Sequence, residues 1–135
     1  MNIIRYMGCF FDPKELEKNL EIFSRKPLYK TISCPHITLL YRPSNVPTGL
    51  LGTKIQINVI GYGNDGQNEA LLVEFVDFSD GLKDIIADVP VPHITLSVSK
   101  SGKSVNSRYL EFKPIEPFAL VGTVGVMDSN DKVCT

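Results

Sequence analysis

The feature that most constrains this chain is a five-residue sequence, Pro-His-Ile-Thr-Leu, that occurs at residues 35–39 and again at residues 92–96. The chain contains two histidines, His36 and His93, and each is the second residue of one copy. β-Branched residues favour extended backbone, so each copy predicts a β-strand. The fold must therefore hold two similar strands, distant in sequence, that each carry one histidine.

The first copy predicts a strand with a polar and an apolar face. Side chains at positions i and i+2 of a strand share a face. His36 and Thr38 are therefore expected on one face, with Ile37, Leu39 and Tyr41 on the other.

The second copy predicts a longer polar row. By the same alternation His93, Thr95, Ser97 and Ser99 share one face, while aliphatic residues occupy the other. If the aliphatic face packs inward, the polar face must line a groove or meet solvent.

The rest of the chain alternates helices with strands, which predicts an α+β fold. One helix is expected over residues 13–24, because Asp12 can cap it and Pro13 suits its first position. A short helix is expected from about Ser79. The two halves resemble each other loosely, so we expect two lobes facing one another within a single domain spanning residues 1–135. The predicted strands are residues 2–10, 30–41, 54–60, 70–78, 91–99 and 118–127.

Residues 61–66 spell G-x-G-x-x-G, a pattern that marks dinucleotide sites when a helix follows it directly. Here a strand-like segment follows, and Asn64-Asp65-Gly66 is typical of a tight hairpin. We therefore interpret this segment as a turn between two strands.

The composition limits the kinds of partner that this chain is expected to bind. Fourteen basic and fifteen acidic residues give a net charge of −1, which argues against extended nucleic-acid binding. No apolar run reaches the roughly 20 residues that a membrane helix needs. Three cysteines, without metal-site spacing or a secretory signal, indicate reduced thiols and a cytoplasmic protein. A monomer is favoured.

Two histidines facing one cleft suit phosphodiester chemistry, because one can accept a proton while the other donates one. The pKa of histidine, near 6.5, allows both roles at neutral pH. The hydroxyls of Thr38 and Thr95 can bond phosphate oxygens, and this chemistry needs no metal or cofactor. A single His-x-Thr is more often structural, but two copies that hold both histidines favour a paired site.

The two pentapeptides together resemble the signature of the two-histidine (2H) phosphoesterase superfamily. The resemblance implies a bilobal fold in which two antiparallel sheet lobes frame a central cleft. It also implies metal-independent cleavage of 2′,3′-cyclic phosphates, 2′–5′ oligonucleotides or cyclic oligonucleotide signals. By position, His36 and His93 would be the acid/base residues, and Thr38 and Thr95 would bind phosphate.

Several other side chains are candidates for contact with a nucleotide or short oligonucleotide. Ser97 is a candidate because it shares the predicted His93 face, and Tyr62 could stack a base. Tyr41 could do the same, although strand alternation favours a core position for it. Lys100 and Lys103 could meet phosphate or belong to a solvated loop. The alternative function is a nucleotide-binding sensor without turnover, since a purely structural domain would leave the polar row unexplained.

Overall fold

The structure is a computed structural model that describes residues 4–22, 30–31, 35–45, 47–100, 107, 109–129 and 133–134. Within these residues it is a sheet-rich α+β fold, as the sequence predicts. Short 3₁₀-helices lie at Thr48–Leu50 and Asp80–Leu82. The other elements are β1 (Ile4–Phe10), α1 (Pro13–Ile22), β2 (Lys30–Thr31), β3 (His36–Tyr41), β4 (Lys54–Asn64), β5 (Asn68–Asp77), α2 (Lys83–Ala87), β6 (His93–Val98), β7 (Lys113–Asp128) and β8 (Val133–Cys134).

The described strands form one antiparallel sheet in the order β2-β6-β5-β4-β7-β1-β3, with β8 on β7. Two separate sheets were expected, and the difference is due to β7. This strand is 16 residues long and pairs with β4 through Thr123, then with β1 from Thr123 onward. The two strands that carry the pentapeptides, β3 and β6, contact each other, so the sheet curves into a nearly closed barrel-like shape.

The apolar core follows the predicted alternation most clearly in β4. Ile55, Ile57 and Val59 are fully buried, while the residues between them point outward. Their side chains pack in one cluster with residues from β1, β3, β5, β6 and β7. Burial of each such side chain stabilises the fold by roughly 1.5–3 kcal/mol, so this cluster is a major source of stability for the curved sheet.

The first helix begins at Pro13, as predicted, whereas the helix expected from about Ser79 is a 3₁₀-helix at Asp80–Leu82 followed by α2 from Lys83. The N–H of Lys14 donates to Oδ1 of Asp12 at 2.9 Å, which caps α1. Phe11 and Leu16 are buried and hold the start of α1 against the sheet. No helix in the described part of the chain is long and apolar enough to cross a membrane.

The G-x-G-x-x-G segment leads into the predicted hairpin turn, although residues 61–64 belong to β4 and only its end forms the turn. β4 ends at Asn64 and β5 begins at Asn68, with Gly66 at φ +88° in the turn. Oδ1 of Asp65 accepts the N–H groups of Asn68 and Gln67, and these bonds lower the pKa of the Asp65 carboxyl. The segment leads into a strand, so it has no helix N-terminus to hold a pyrophosphate.

Candidate functional site

The two pentapeptides meet at one cavity of about 530 Å³ between β3 and β6. His36 and Thr38 line it from one strand, and His93 and Thr95 line it from the other. Pockets that hold small ligands commonly occupy about 300–1,000 Å³, so a nucleotide would fit. The structure thus brings together the four residues on which the paired-site prediction depends.

A β-bulge interrupts β3 at Leu39, the last residue of the first pentapeptide. Residues 7 and 8 of β1 pair with residues 40 and 38 of β3, which leaves Leu39 as an extra residue. An extra residue reverses the alternation of side chains beyond it. Tyr41 consequently pairs with Tyr6, whose ring faces His36. The core position favoured for Tyr41 is wrong: its side chain is 72% exposed and lines the cavity.

A second bulge interrupts β6 at Leu96, the equivalent residue of the second pentapeptide. Thr95 pairs with Ala70 and Ser97 pairs with Glu69, so Leu96 is the extra residue. Ser97 therefore lies on the face opposite to His93, and the predicted unbroken polar row is wrong. Ser97 is fully buried, and its hydroxyl donates to Oε1 of Glu69 at 2.8 Å.

The remaining predicted contacts lie away from the cavity or outside the described residues. The hydroxyl of Tyr62 donates to Oε2 of the buried Glu69, so Tyr62 and Ser97 bind the same carboxyl group and neither lines the cavity. Lys100 is exposed and does not line the cavity either. Lys103 lies outside the described residues.

The ring of His93 is oriented by the backbone just before β6. Its Nδ1 lies 2.8 Å from the carbonyl oxygen of Val91. A carbonyl only accepts hydrogen bonds, so Nδ1 carries the proton in this contact. The neutral imidazole therefore has its lone pair on Nε2, the form required of a base.

The ring of His36 is held differently, by aromatic side chains of β1. It stacks on Tyr6 with centroids 4.4 Å apart and lies 5.5 Å from the ring of Phe10. The Tyr6 hydroxyl is 3.4 Å from Nδ1 of His36, and a hydroxyl can either donate or accept. This contact is compatible with both protonation states of His36.

Gly8 allows the close approach of β3 to these rings. A Cβ atom added there would lie 2.8 Å from the carbonyl oxygen of Ile37 and 3.7 Å from Cδ2 of His36. Neither Gly8 nor Tyr6 is indicated by the pentapeptides, although the alternation of Tyr6, Gly8 and Phe10 along β1 is a usable signal.

The two threonines differ in their surroundings. Thr38 is exposed, whereas Thr95 is buried and its Oγ1 lies 2.9 Å from Oγ of Ser107. The Ser107 oxygen also accepts a hydrogen bond from Nδ2 of Asn68 at 3.1 Å. Asn68 and Ser107 are fully buried and fix the position of the Thr95 hydroxyl at the cavity wall.

The cavity wall carries little positive charge. Among the described lining residues, Asp88 is the only Asp, Glu, Lys or Arg. No group of three or more His, Cys, Asp or Glu side chains that could hold a metal ion occurs within the described ranges. An anion bound here would depend on a protonated imidazole and on hydroxyl donors.

No protein-family model matches this chain, and no curated protein matches it either. The resemblance to the two-histidine superfamily therefore rests on the two pentapeptides and on the site that they line.

Proposed function

We propose that this protein is a metal-independent phosphodiesterase of the two-histidine type that acts on a small nucleotide or short oligonucleotide. The observation that carries the proposal is the shared cavity of His36 and His93, each followed by a threonine that lines the same cavity. The bond would be a 2′,3′-cyclic phosphate, a 2′–5′ linkage or a cyclic oligonucleotide. We also propose that the protein is cytoplasmic, the location that the cysteines predict.

The histidine contacts suggest how the two roles divide. The Nδ1–H of His93 is bound to a carbonyl, so the neutral ring carries its lone pair on Nε2 and can act as a base there. It would take a proton from the attacking water or hydroxyl as the new P–O bond forms. His36, whose contact with Tyr6 is compatible with the protonated ring, would donate a proton to the leaving oxygen as the old P–O bond breaks. Each such transfer typically contributes about 10²–10⁴-fold to the rate.

The threonine hydroxyls would bind the non-bridging phosphate oxygens. Donors held in place before the reaction stabilise the charge that develops on these oxygens. The Thr95 hydroxyl meets this requirement because Ser107 and Asn68 hold it. Its proton can turn toward phosphate if the Ser107 hydroxyl donates to Thr95 in exchange, since each hydroxyl both donates and accepts.

We also propose that the sheet corresponds to the two lobes of that superfamily. One half would contain β1, β3 and α1, and the other β4, β5, β6 and α2. Two features support this division: β7 changes partner at Thr123, and each pentapeptide strand bulges at its fifth residue, Leu39 or Leu96.

The test is to measure turnover of His36→Ala and His93→Ala on a panel of cyclic phosphates, 2′–5′ oligoadenylates and cyclic dinucleotides. We expect each variant to lose at least about 10²-fold in kcat while keeping the wild-type circular dichroism spectrum. The pH–rate profile of the wild-type protein should be bell-shaped, with one limb for each imidazole. Added imidazole should restore part of the activity, because it can transfer the missing proton.

Near-normal turnover in either alanine variant would refute the paired acid/base mechanism. Recovery of tightly bound but intact nucleotide from the wild-type protein would instead identify a nucleotide sensor.

A further inference from the structure

Two exposed polar residues that line the cavity, Tyr41 and Asp88, have no role in the proposed catalysis. Tyr41 presents a ring that is 72% exposed, and the bulge at Leu39 places it on the His36 face of β3. The guanidinium of Arg42 lies 5.4 Å from the centre of this ring. An exposed aromatic ring at the edge of a cavity is a stacking surface for a nucleobase.

Asp88 is the second residue. It is exposed, lines the same cavity and follows directly after α2, which contacts β3. Its carboxylate repels a phosphate group, whereas the histidines and threonines attract one. The phosphate is therefore favoured beside the histidine pair, and a ligand group beside Asp88 is favoured when it is not anionic and donates hydrogen bonds.

We propose that Tyr41 and Asp88 form a nucleobase subsite, in which the base stacks on Tyr41 and donates N–H groups to Asp88. This inference rests on the proposed function in that it takes the ligand to be a nucleotide. A carboxylate only accepts hydrogen bonds. Guanine suits it best, since N1–H and the 2-amino group offer two parallel donors. Adenine and cytosine offer one amino group, and uracil is disfavoured because carbonyl oxygens flank its single N–H.

The subsite can be tested with nucleoside 2′,3′-cyclic monophosphates that differ only in the base. Guanine, hypoxanthine and uracil form a graded series, because hypoxanthine keeps the N1–H of guanine and lacks the amino group. Dissociation constants would be measured by calorimetry on the His93→Ala variant, which lacks the base and keeps the His36 imidazole for the phosphate, and kcat/KM on the wild-type protein. We expect guanine to exceed uracil by about 5- to 150-fold in affinity, with hypoxanthine between them.

Variants then assign the preference to Asp88. Asp88→Asn gains a donor, so its preference for guanine over uracil should fall to within about 3-fold. Asp84→Asn is the matched control, because this substitution removes the same charge from a residue that lies on α2 and does not line the cavity. It should keep the wild-type preference.

The stacking partner is tested in the same assay. Tyr41→Ala should weaken binding of all three ligands by about 5- to 150-fold, whereas Tyr41→Phe keeps the ring and should bind nearly as the wild type does. Tyr109→Ala is the control, since Tyr109 is 71% exposed and does not line the cavity.

The outcomes separate this inference from the proposed function. Cleavage of all ligands without base preference, unchanged in Asp88→Asn, would overturn the subsite and leave the phosphodiesterase intact. Base-selective binding, with no cleavage of these ligands or of the 2′–5′ oligoadenylates and cyclic dinucleotides, would support the subsite and overturn the enzymatic proposal. Absence of binding by the variant, together with no cleavage of any ligand in either panel by the wild-type protein, would overturn both.

Discussion

Thr38 and Thr95 occupy the same position in the two pentapeptides, but their substitution should affect stability very differently. Thr38 is exposed, and loss of an exposed side chain usually changes the free energy of unfolding by no more than about 0.5 kcal/mol. Thr95→Ala removes a buried methyl group, worth about 0.8 kcal/mol, and the hydrogen bond to Ser107, worth about 0.5–1.5 kcal/mol. Thr95→Ala should therefore lower the free energy of unfolding by roughly 1–2.5 kcal/mol.

Urea unfolding followed by circular dichroism measures this difference directly, and the comparison is valid if the dependence on urea stays constant among variants. Thr95→Ser keeps the hydroxyl and should lose only about 0.8 kcal/mol. In turnover, both alanine variants should lose about 10- to 150-fold, less than a histidine variant, because each removes one hydrogen bond to a charged phosphate. Equal destabilisation by Thr38→Ala and Thr95→Ala, or by Thr95→Ser and Thr95→Ala, would refute the role assigned to the Ser107 contact.

Three further predictions concern metal, salt and pH. Turnover should survive EDTA, since the proposed proton transfers use only His36 and His93; complete loss that a divalent ion restores would contradict this. Affinity for a dinucleotide should depend only weakly on salt concentration, because no Lys or Arg lines the described cavity wall. It should equal or exceed the affinity for a long RNA with the same end. Tighter binding of the long RNA, with a steep salt dependence, would show that an extended basic surface contributes to binding. Burial raises the pKa of the Cys9 thiol from 9.0 to about 12, so above pH 9 the unfolded chain loses this proton first and stability should fall by about 1.4 kcal/mol per pH unit. Chemical denaturation of Cys9→Ala at several pH values checks this, because the variant should lack that part of the slope.

The sequence predicted secondary structure correctly where the residues of a single strand or turn determine its conformation. The alternation of Ile55, Ile57 and Val59 predicted β4, and Asn64-Asp65-Gly66 predicted the hairpin. The start of β7 was missed because Pro114 and Pro117 indicate a break. The structure tolerates Pro117 because the ladder with β4 skips residues 115–117, where no strand hydrogen bond is required of it.

The same limit applies to the site. The pentapeptides identified the histidines and threonines, but side-chain alternation within one strand does not reveal a bulge, which depends on the register of the partner strand. Ser97 and Tyr41 were therefore assigned to the wrong faces. Ser107 and Asn68 were missed because their contact joins residues far apart in sequence, and no local pattern encodes it.

The position of β7 also bears on the order in which the chain acquires its site during synthesis. Both histidines leave the ribosome before Lys113, but the hydrogen-bonded path from β3 to β6 runs through β7. Until that strand emerges, β1 with β3 and β4 with β5 and β6 are two ladders without a common strand. A nascent chain that ends before β7 thus carries every residue of the histidine–threonine site and lacks the strand that joins its two halves.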